Sequence, residues 1–271
     1  MRARAARPDD YPTFTRFFED LGTGDRVLEP DRYEREVMPS ALFLEEEGGG
    51  APLGYVFTRV SGTHGWVVQV VVAPEARGKG IGKLVMKAAA QRLRASGCLT
   101  WSLNVKVDNP PAIALYRGVG MRVAYDSTAF DLAWDRVARL PREAGRVAVE
   151  PLDDRDHAAL EARFGIPAGR LAEVKARPRN VSLRVVDPAD PRAALGFAGF
   201  DPAFPGAYPF RMIRPTLAAP LLEALRPHAQ PGDAHLRLLV EDDPALAAAL
   251  REAGASTRLA MHHMTGTIPL E

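Results

Sequence analysis

Val67-Val68-Gln69-Val70-Val71-Val72-Ala73-Pro74-Glu75-Ala76-Arg77-Gly78-Lys79-Gly80-Ile81-Gly82-Lys83 is the stretch on which the reading of this chain turns. A β-branched run, central in character, passes through a proline turn into a glycine loop, and the loop opens a helix. Ile81, Leu84, Val85, Ala88 and Leu93 recur at helical spacing, and Gly97 stops them. Glycines let a backbone turn tightly and approach a ligand closely. Successive N–H groups at a helix start form an anion cradle, which the helix dipole strengthens. Arg77, Lys79 and Lys83 add positive charge at its rim. The pattern suits a pyrophosphate held without a metal. A Walker loop would need Ser or Thr after Gly82-Lys83, and Leu84 stands there. A dinucleotide-binding loop needs G-x-G-x-x-G, which Gly78-Lys79-Gly80-Ile81-Gly82 does not provide. A glycine-rich surface turn is the remaining alternative for this loop taken alone.

Helical and strand-like segments alternate on both sides of the loop, which implies an α/β (α+β) fold. Tyr11, Phe14, Phe17, Phe18 and Leu21 share a helical face behind Asp9 or Asp10 as a cap. Ala41 to Leu44 and Leu53 to Val60 read as a hairpin, Leu99 to Val107 as a further strand. Val123 to Tyr125 and Thr128 to Trp134 read as a closing strand pair. Leu140-Pro141-Arg142-Glu143-Ala144-Gly145 has linker character, so domains are expected over 1–140 and 146–271. The second half repeats the first weakly. Asp108-Asn109-Pro110 through Gly120 corresponds to Asp242-Asp243-Pro244 through Gly254: strand, turn, proline, helix, glycine, strand.

The 271 residues suffice for two domains, and 46% apolar with 25% charged side chains is ordinary globular composition. A net charge of +1 gives no global field directed at nucleic acid or membrane. Cys98 is the only cysteine, which excludes an internal disulfide and a cysteine-rich metal site. The basic Met1 to Pro8 stretch has no apolar core, and no run approaches the ~20 residues that span a bilayer. A cytoplasmic protein with no nucleic-acid or membrane partner is the expectation.

Beyond the loop come Leu103-Asn104-Val105-Lys106-Val107-Asp108-Asn109, then Pro110-Pro111-Ala112-Ile113-Ala114-Leu115-Tyr116, then Gly120-Met121. With these the chain resembles the GNAT superfamily of N-acetyltransferases. Arg77 to Gly82 matches that family's R/Q-x-x-G-x-G/A motif, and Asn109 to Met121 matches its N-x-x-A-x-x-L-Y-x-x-x-G-hydrophobic pattern. The resemblance covers about Arg2 to Trp134. It implies two tandem GNAT-like domains, each a mixed, mostly antiparallel twisted sheet with splayed central parallel strands flanked by helices.

The resemblance further implies acetyl-CoA as co-substrate, no metal, and a small-molecule or peptide amine as acceptor. The pantetheine arm would lie along Val70, Val71 and Val72. The pyrophosphate would meet Arg77, Gly78, Lys79, Gly80, Ile81, Gly82 and Lys83, while Asn109 and Ala112 would face the cofactor from the next helix. Tyr116 lies four residues after Ala112 and shares its face. A phenol with pKa near ~10 can protonate a departing thiolate, which makes Tyr116 the expected general acid. Relatives often carry a Glu base on the strand before the loop, where this chain has Val68, Gln69 and Val70. Gln69 and Asn104 can hold water or substrate and cannot act as bases. Asp25, Glu29 and Asp31 are weaker candidates, Asp31 being well placed as a helix cap. His64 reads as part of an exposed turn, and His262-His263 as surface or interface residues pointing to opposite faces of a strand. A non-catalytic acyl-CoA-binding sensor is the alternative function.

In the second half the loop's counterpart, Arg211-Met212-Ile213-Arg214-Pro215-Thr216-Leu217-Ala218, contains no glycine, and Leu250 stands where Tyr116 would be. That half is expected to be a degenerate copy without a cofactor site.

Overall fold

A computed structural model describes residues 1–269. The chain forms two compact units, one of residues 1–124 with the chain end from 263, the other of residues 125–262.

In the first unit the strands follow the order β1 (Arg2–Ala5), β2 (Ala41–Glu45), β3 (Gly54–Ser61), β4 (His64–Val72), β5 (Thr100–Lys106), and then the end of β12 (Ser256–Thr267). Neighbours are antiparallel from β1 to β4, and β4 runs parallel to β5. Helix α1 (Tyr11–Asp20) and the short α2 (Pro30–Arg32) precede β2. Helices α3 (Ile81–Ala95) and α4 (Pro110–Gly118) follow β4 and β5. The sheet's two faces differ. Gly54 and Gly65 face α3: a Cβ on Gly54 would lie 2.6 Å from Val85, and one on Gly65 2.6 Å from Leu93. Tyr55 faces the other way, into a cluster with Phe14, Phe17 and Phe43 that fixes α1 on that side.

Arg4 joins this layer to the first strand. Its guanidinium binds both Asp10 carboxylate oxygens at 2.7 Å and Glu45 at 2.6 Å. Asp10 also accepts from the Arg7 N–H, behind the helix rather than ahead of it.

In the second unit the start of β12 and β6 (Arg122–Ala133) lie beside β11 (His235–Glu241), followed by β10 (Gly206–Met212), β9 (Asp190–Asp201), β8 (Val181–Asp187) and β7 (Ala148–Pro151). Helices α5 (His157–Arg163), α6 (Arg170–Lys175), α7 (Ala218–Leu225) and α8 (Pro244–Ala253) flank it. As in the first unit, one parallel pair, β10 with β11, stands among antiparallel neighbours. The internal repeat is visible in its caps. Asn109 Oδ1 accepts from Ala112 N–H at 3.2 Å to open α4, and Asp243 Oδ1 accepts from Leu246 N–H at 2.9 Å to open α8. Gly120 and Gly254 each adopt positive φ after their helix.

One local expectation changes. Residues 122–133 are one continuous strand rather than a pair, and β6 zips to β11 from Ser127↔Glu241 to Ala133↔His235. The contact division falls after Ala124 and again after His262, and residues 140–145 lie inside the second unit. A proline-containing loop marks where regular structure stops. It carries no information about which sheet a distant strand will join, and here the last strand of the chain returns to the first unit.

That return is testable through Gly266, where a Cβ would lie 2.9 Å from the Gly120 carbonyl oxygen. Gly266→Val should lower stability by about 1–3 kcal/mol through overpacking against backbone, measured by urea unfolding. An unchanged midpoint would show that β12 does not pack against residues 120–121.

Candidate functional site

Strands β4 and β5 pair only over His64↔Thr100, Gly65↔Trp101 and Trp66↔Ser102. Beyond Trp66 and Ser102 they part, while β4 keeps its partner β3 up to Val72↔Gly54. The result is a fork whose β4 edge carries unpaired main chain. Its polarity follows from one bond: the Ala73 N–H donates to Leu53 O on the β3 side at 2.9 Å. N–H directions alternate along a strand, so those of Val70 and Val72 point into the fork. Val71 is buried on the α1 face opposite Tyr55. At the fork's mouth the Arg77 Nε–H donates to Val72 O at 3.1 Å.

The glycine loop sits at that mouth. Gly78 (φ +76) and Gly80 (φ +79) adopt left-handed conformations that L side chains rarely tolerate, and both face open space. Arg77 N–H is taken by Pro74 O, but those from Gly78 to Gly82 donate to no protein acceptor among the described residues. Five consecutive donors stand at the start of the 15-residue helix α3, where backbone N–H groups and the helix dipole favour negative charge. Lys79 and Lys83 are exposed beside it, and Ile81 is buried as the helix's first anchor. Gly82 has a different role: a Cβ there would lie 3.0 Å from Leu115, so this glycine allows α3 and α4 to pack closely.

Helix α4 presents Ala112, half-buried, and Tyr116, 7% exposed. Asn109 spends its side-chain oxygen on the helix cap. Burial pushes the Tyr116 phenol up to about 12, and no described protein group hydrogen-bonds its hydroxyl. The group therefore holds its proton throughout the range in which the protein would work.

The α1 face of the fork is richer than the sequence suggested. The register shifts between Phe57 and Thr58, leaving Val68 as an extra residue in β4. This bulge turns both Trp66 and Gln69 toward α1 although they are three residues apart. The Tyr55 hydroxyl donates to Gln69 Oε1 at 3.0 Å. On β5, Lys106 Nζ donates to the carbonyls of Leu21 and Gly22 at the end of α1, at 2.9 and 2.8 Å, which places Thr100, Ser102 and Asn104 on the same face. His64 begins β4 instead of sitting in an exposed turn. Its ring nitrogens meet Thr100 Oγ1 at 2.9 Å and Ser102 Oγ at 2.7 Å.

His263 completes this face. The two histidines do point to opposite faces, but His263 is 7% exposed rather than superficial. Its Nδ1 lies 3.0 Å from Asn104 Oδ1 and its ring centroid 5.3 Å from that of Trp66. His262 turns the other way, to Asp126 at 2.7 Å. Nothing local in the sequence marks His263, because its partners are 159 residues away or more. Among the earlier acidic candidates, Asp31 is exposed, lies inside α2 rather than at its cap, and pairs with Arg35 at 3.6 Å.

In the second unit the equivalent fork is filled. Strands β10 and β11 pair over Gly206↔Arg237 and Ala207↔Leu238 and then part. Arg211 crosses the gap from β10, binding the Glu241 main-chain carbonyl and, at 2.9 Å, its carboxylate. Burial pushes the Glu241 carboxyl up, and the Tyr125 hydroxyl lies 3.4 Å from it. Leu250, in the place of Tyr116, is fully buried. Among the described residues no group of three or more His, Cys, Asp or Glu side chains could hold a metal ion, and no helix is long and apolar enough to cross a membrane.

Residues 7–121 match the Acetyltransferase (GNAT) family. A mycothiol acetyltransferase of Pseudarthrobacter chlorophenolicus is 38% identical over 88 residues, covering 30% of this chain and 27% of that protein. One from Clavibacter michiganensis is 32% identical over 112 residues, covering 41% of this chain and 34% of that protein. The chain thus spans only about a third or less of the length of these curated relatives. Among solved structures, a GCN5-related N-acetyltransferase from Sphaerobacter thermophilus superposes with a TM-score of 0.67 at 17% identity, covering 98% of this chain and 95% of that one. A tandem GNAT protein from the clavulanic acid biosynthesis pathway covers 100% of this chain and 99% of its own, with a TM-score of 0.60 at 18% identity. The motif-bearing part of the sequence and the fold of the whole chain agree: residues 7–121 belong to the acetyltransferase (GNAT) family, within a chain that has the tandem GNAT fold throughout.

Proposed function

We propose that the chain is an N-acetyltransferase that moves an acetyl group from acetyl-CoA to a small-molecule or peptide amine, at one site in the first unit. The carrying observation is the continuity of unpaired donors. The N–H groups from Gly78 to Gly82 lead to those of Val72 and Val70 along the open edge of β4. Phosphates suit the first set, and an extended arm with its own amides suits the second, as an added strand does. A thioester carbonyl at Val70 would be polarised by that N–H, which also steadies the oxyanion formed on attack. The amine attacks directly, the C–S bond breaks, and the Tyr116 hydroxyl protonates the leaving sulfur.

Tyr116 also weighs against a non-catalytic acyl-CoA sensor, since a sensor has no use for a buried proton donor on the cofactor-facing helix. The second unit is read as a copy that no longer takes the cofactor. Arg211 occupies the gap where the arm would lie, and Pro215 removes a donor from the former loop.

Gly80→Glu should abolish acetyl-CoA binding by isothermal titration, since it strains a left-handed position and places a carboxylate in the cradle. Unchanged affinity would refute the loop assignment. Tyr116→Phe should lower kcat ~100-fold while leaving acetyl-CoA affinity within about threefold, read from thiol release with primary amines. Because burial raises this phenol to about 12, wild-type kcat should show no alkaline limb near the ordinary tyrosine value of ~10. A limb there that disappears in Tyr116→Phe would contradict a buried, protonated donor.

A further inference from the structure

Strands β3, β4 and β5 contain no Asp or Glu, so they present no carboxylate to an incoming acceptor. What they present on the α1 face, at the level of Val70, is a pair of hydrogen-bond donors. We propose that the Gln69 amide and the Lys106 ammonium together bind a carboxylate on the acceptor, which makes the acceptor an amino acid or a similarly short carboxylate-bearing amine. This assignment rests on the acetyl-transfer reading above and names the acceptor class of that same site.

Position comes first. The α3 face of the sheet is closed: Val85 and Leu93 press on it so tightly that a Cβ on Gly54 or Gly65 would lie 2.6 Å from them. An amine therefore reaches a thioester on the open edge of β4 from the α1 face. Gln69 directly precedes Val70 and points to that face, since its oxygen meets the Tyr55 hydroxyl. Counted from the last pair of the two strands, Trp66↔Ser102, Val70 and Lys106 are both four residues on. Lys106 also points to the α1 face, because its Nζ reaches the end of α1. Both side chains are half-buried. They flank the fork from its two strands, at the height where the acetyl carbonyl would be held.

Chemistry comes second. Tyr55 is 1% exposed, and its hydroxyl has one described hydrogen-bond partner, Gln69. A buried hydroxyl hydrogen left without an acceptor costs free energy, so the amide oxygen faces the phenol. That turns Nε2 away from the core, and its hydrogens meet no described protein acceptor. An ammonium has three hydrogens. Two of those on Lys106 go to Leu21 O and Gly22 O, at 2.9 and 2.8 Å, and no described carboxylate pairs with it. The carbonyls fix the direction of Nζ without neutralising it. A carboxylate supplies what both groups lack, acceptor lone pairs on two oxygens and one negative charge. A neutral carbonyl would serve the amide alone. With the carboxylate held here, the amine of an amino acid stands one carbon away, beside the acyl group.

Lys106 also sits at the carboxyl end of α1, where a cation complements the helix dipole. That structural role and the recognition role differ in what they do to substrate preference.

The test uses the full chain, wild type and with Gln69→Glu and Lys106→Met. Acetyl-CoA affinity is measured by calorimetry. Thiol release is followed with the proteinogenic amino acids, β-alanine and γ-aminobutyrate. Each acid is compared with its amide and its decarboxylated amine, as alanine with alaninamide and ethylamine. The wild type should turn over at least one acid, with kcat/KM ~10–100-fold above those of its two neutral-ended analogues. Gln69→Glu sets a carboxylate against the substrate's own, so the preference should vanish or reverse. Lys106→Met keeps the apolar stem and should remove most of the preference through a higher KM. A merely structural role would slow acid, amide and amine alike and leave the preference as it was. A preference unmoved in Gln69→Glu, wild-type turnover of the analogues equal to that of the acid, or no turnover of any acid by a chain that binds acetyl-CoA would each overturn the assignment. Failure of the wild type to bind acetyl-CoA would instead remove the acetyl-transfer reading, and this one with it.

Discussion

Two parallel strands that begin paired and then part are the constraint on which the rest of this protein depends. A β-edge in a sheet's interior normally finds a partner, because unpaired buried N–H and C=O groups cost free energy. Here β4 loses β5 after Trp66, and its main-chain groups face a gap. The opening is maintained from outside: α3 holds one face through the tight approach at Gly54 and Gly65, and the Tyr55 cluster holds the other. The bulge at Val68 sits level with the floor of the fork and sets which β4 side chains look toward α1.

The two units treat such a gap differently. In the first, the donors of the loop and of β4 remain unpaired, and the glycines keep the approach clear. In the second, the protein supplies its own occupant. Arg211 reaches a main-chain carbonyl and a carboxylate across the parting strands, an arrangement that satisfies buried polar groups without cofactor.

The α1 face is built from residues drawn from three strands and from contacts that no single segment reveals. Gln69 is oriented by Tyr55, His64 by Thr100 and Ser102, and His263 by Asn104 and Trp66.

The sequence by itself determined the glycine loop, the helix it opens and the place of Tyr116, together with the repeat that pairs Asn109 with Asp243. All of these are encoded over a few residues, in backbone conformation, capping and helical spacing, which act locally wherever the segment is placed. Tertiary structure decided the fork, the bulge at Val68, the filling of the second gap by Arg211, and the return of β12 to the first unit. Strand partners are chosen by burial and hydrogen bonding between segments far apart in the chain. A linker at 140–145 therefore could not show that the last strand crosses back, nor that it brings His263 to Asn104.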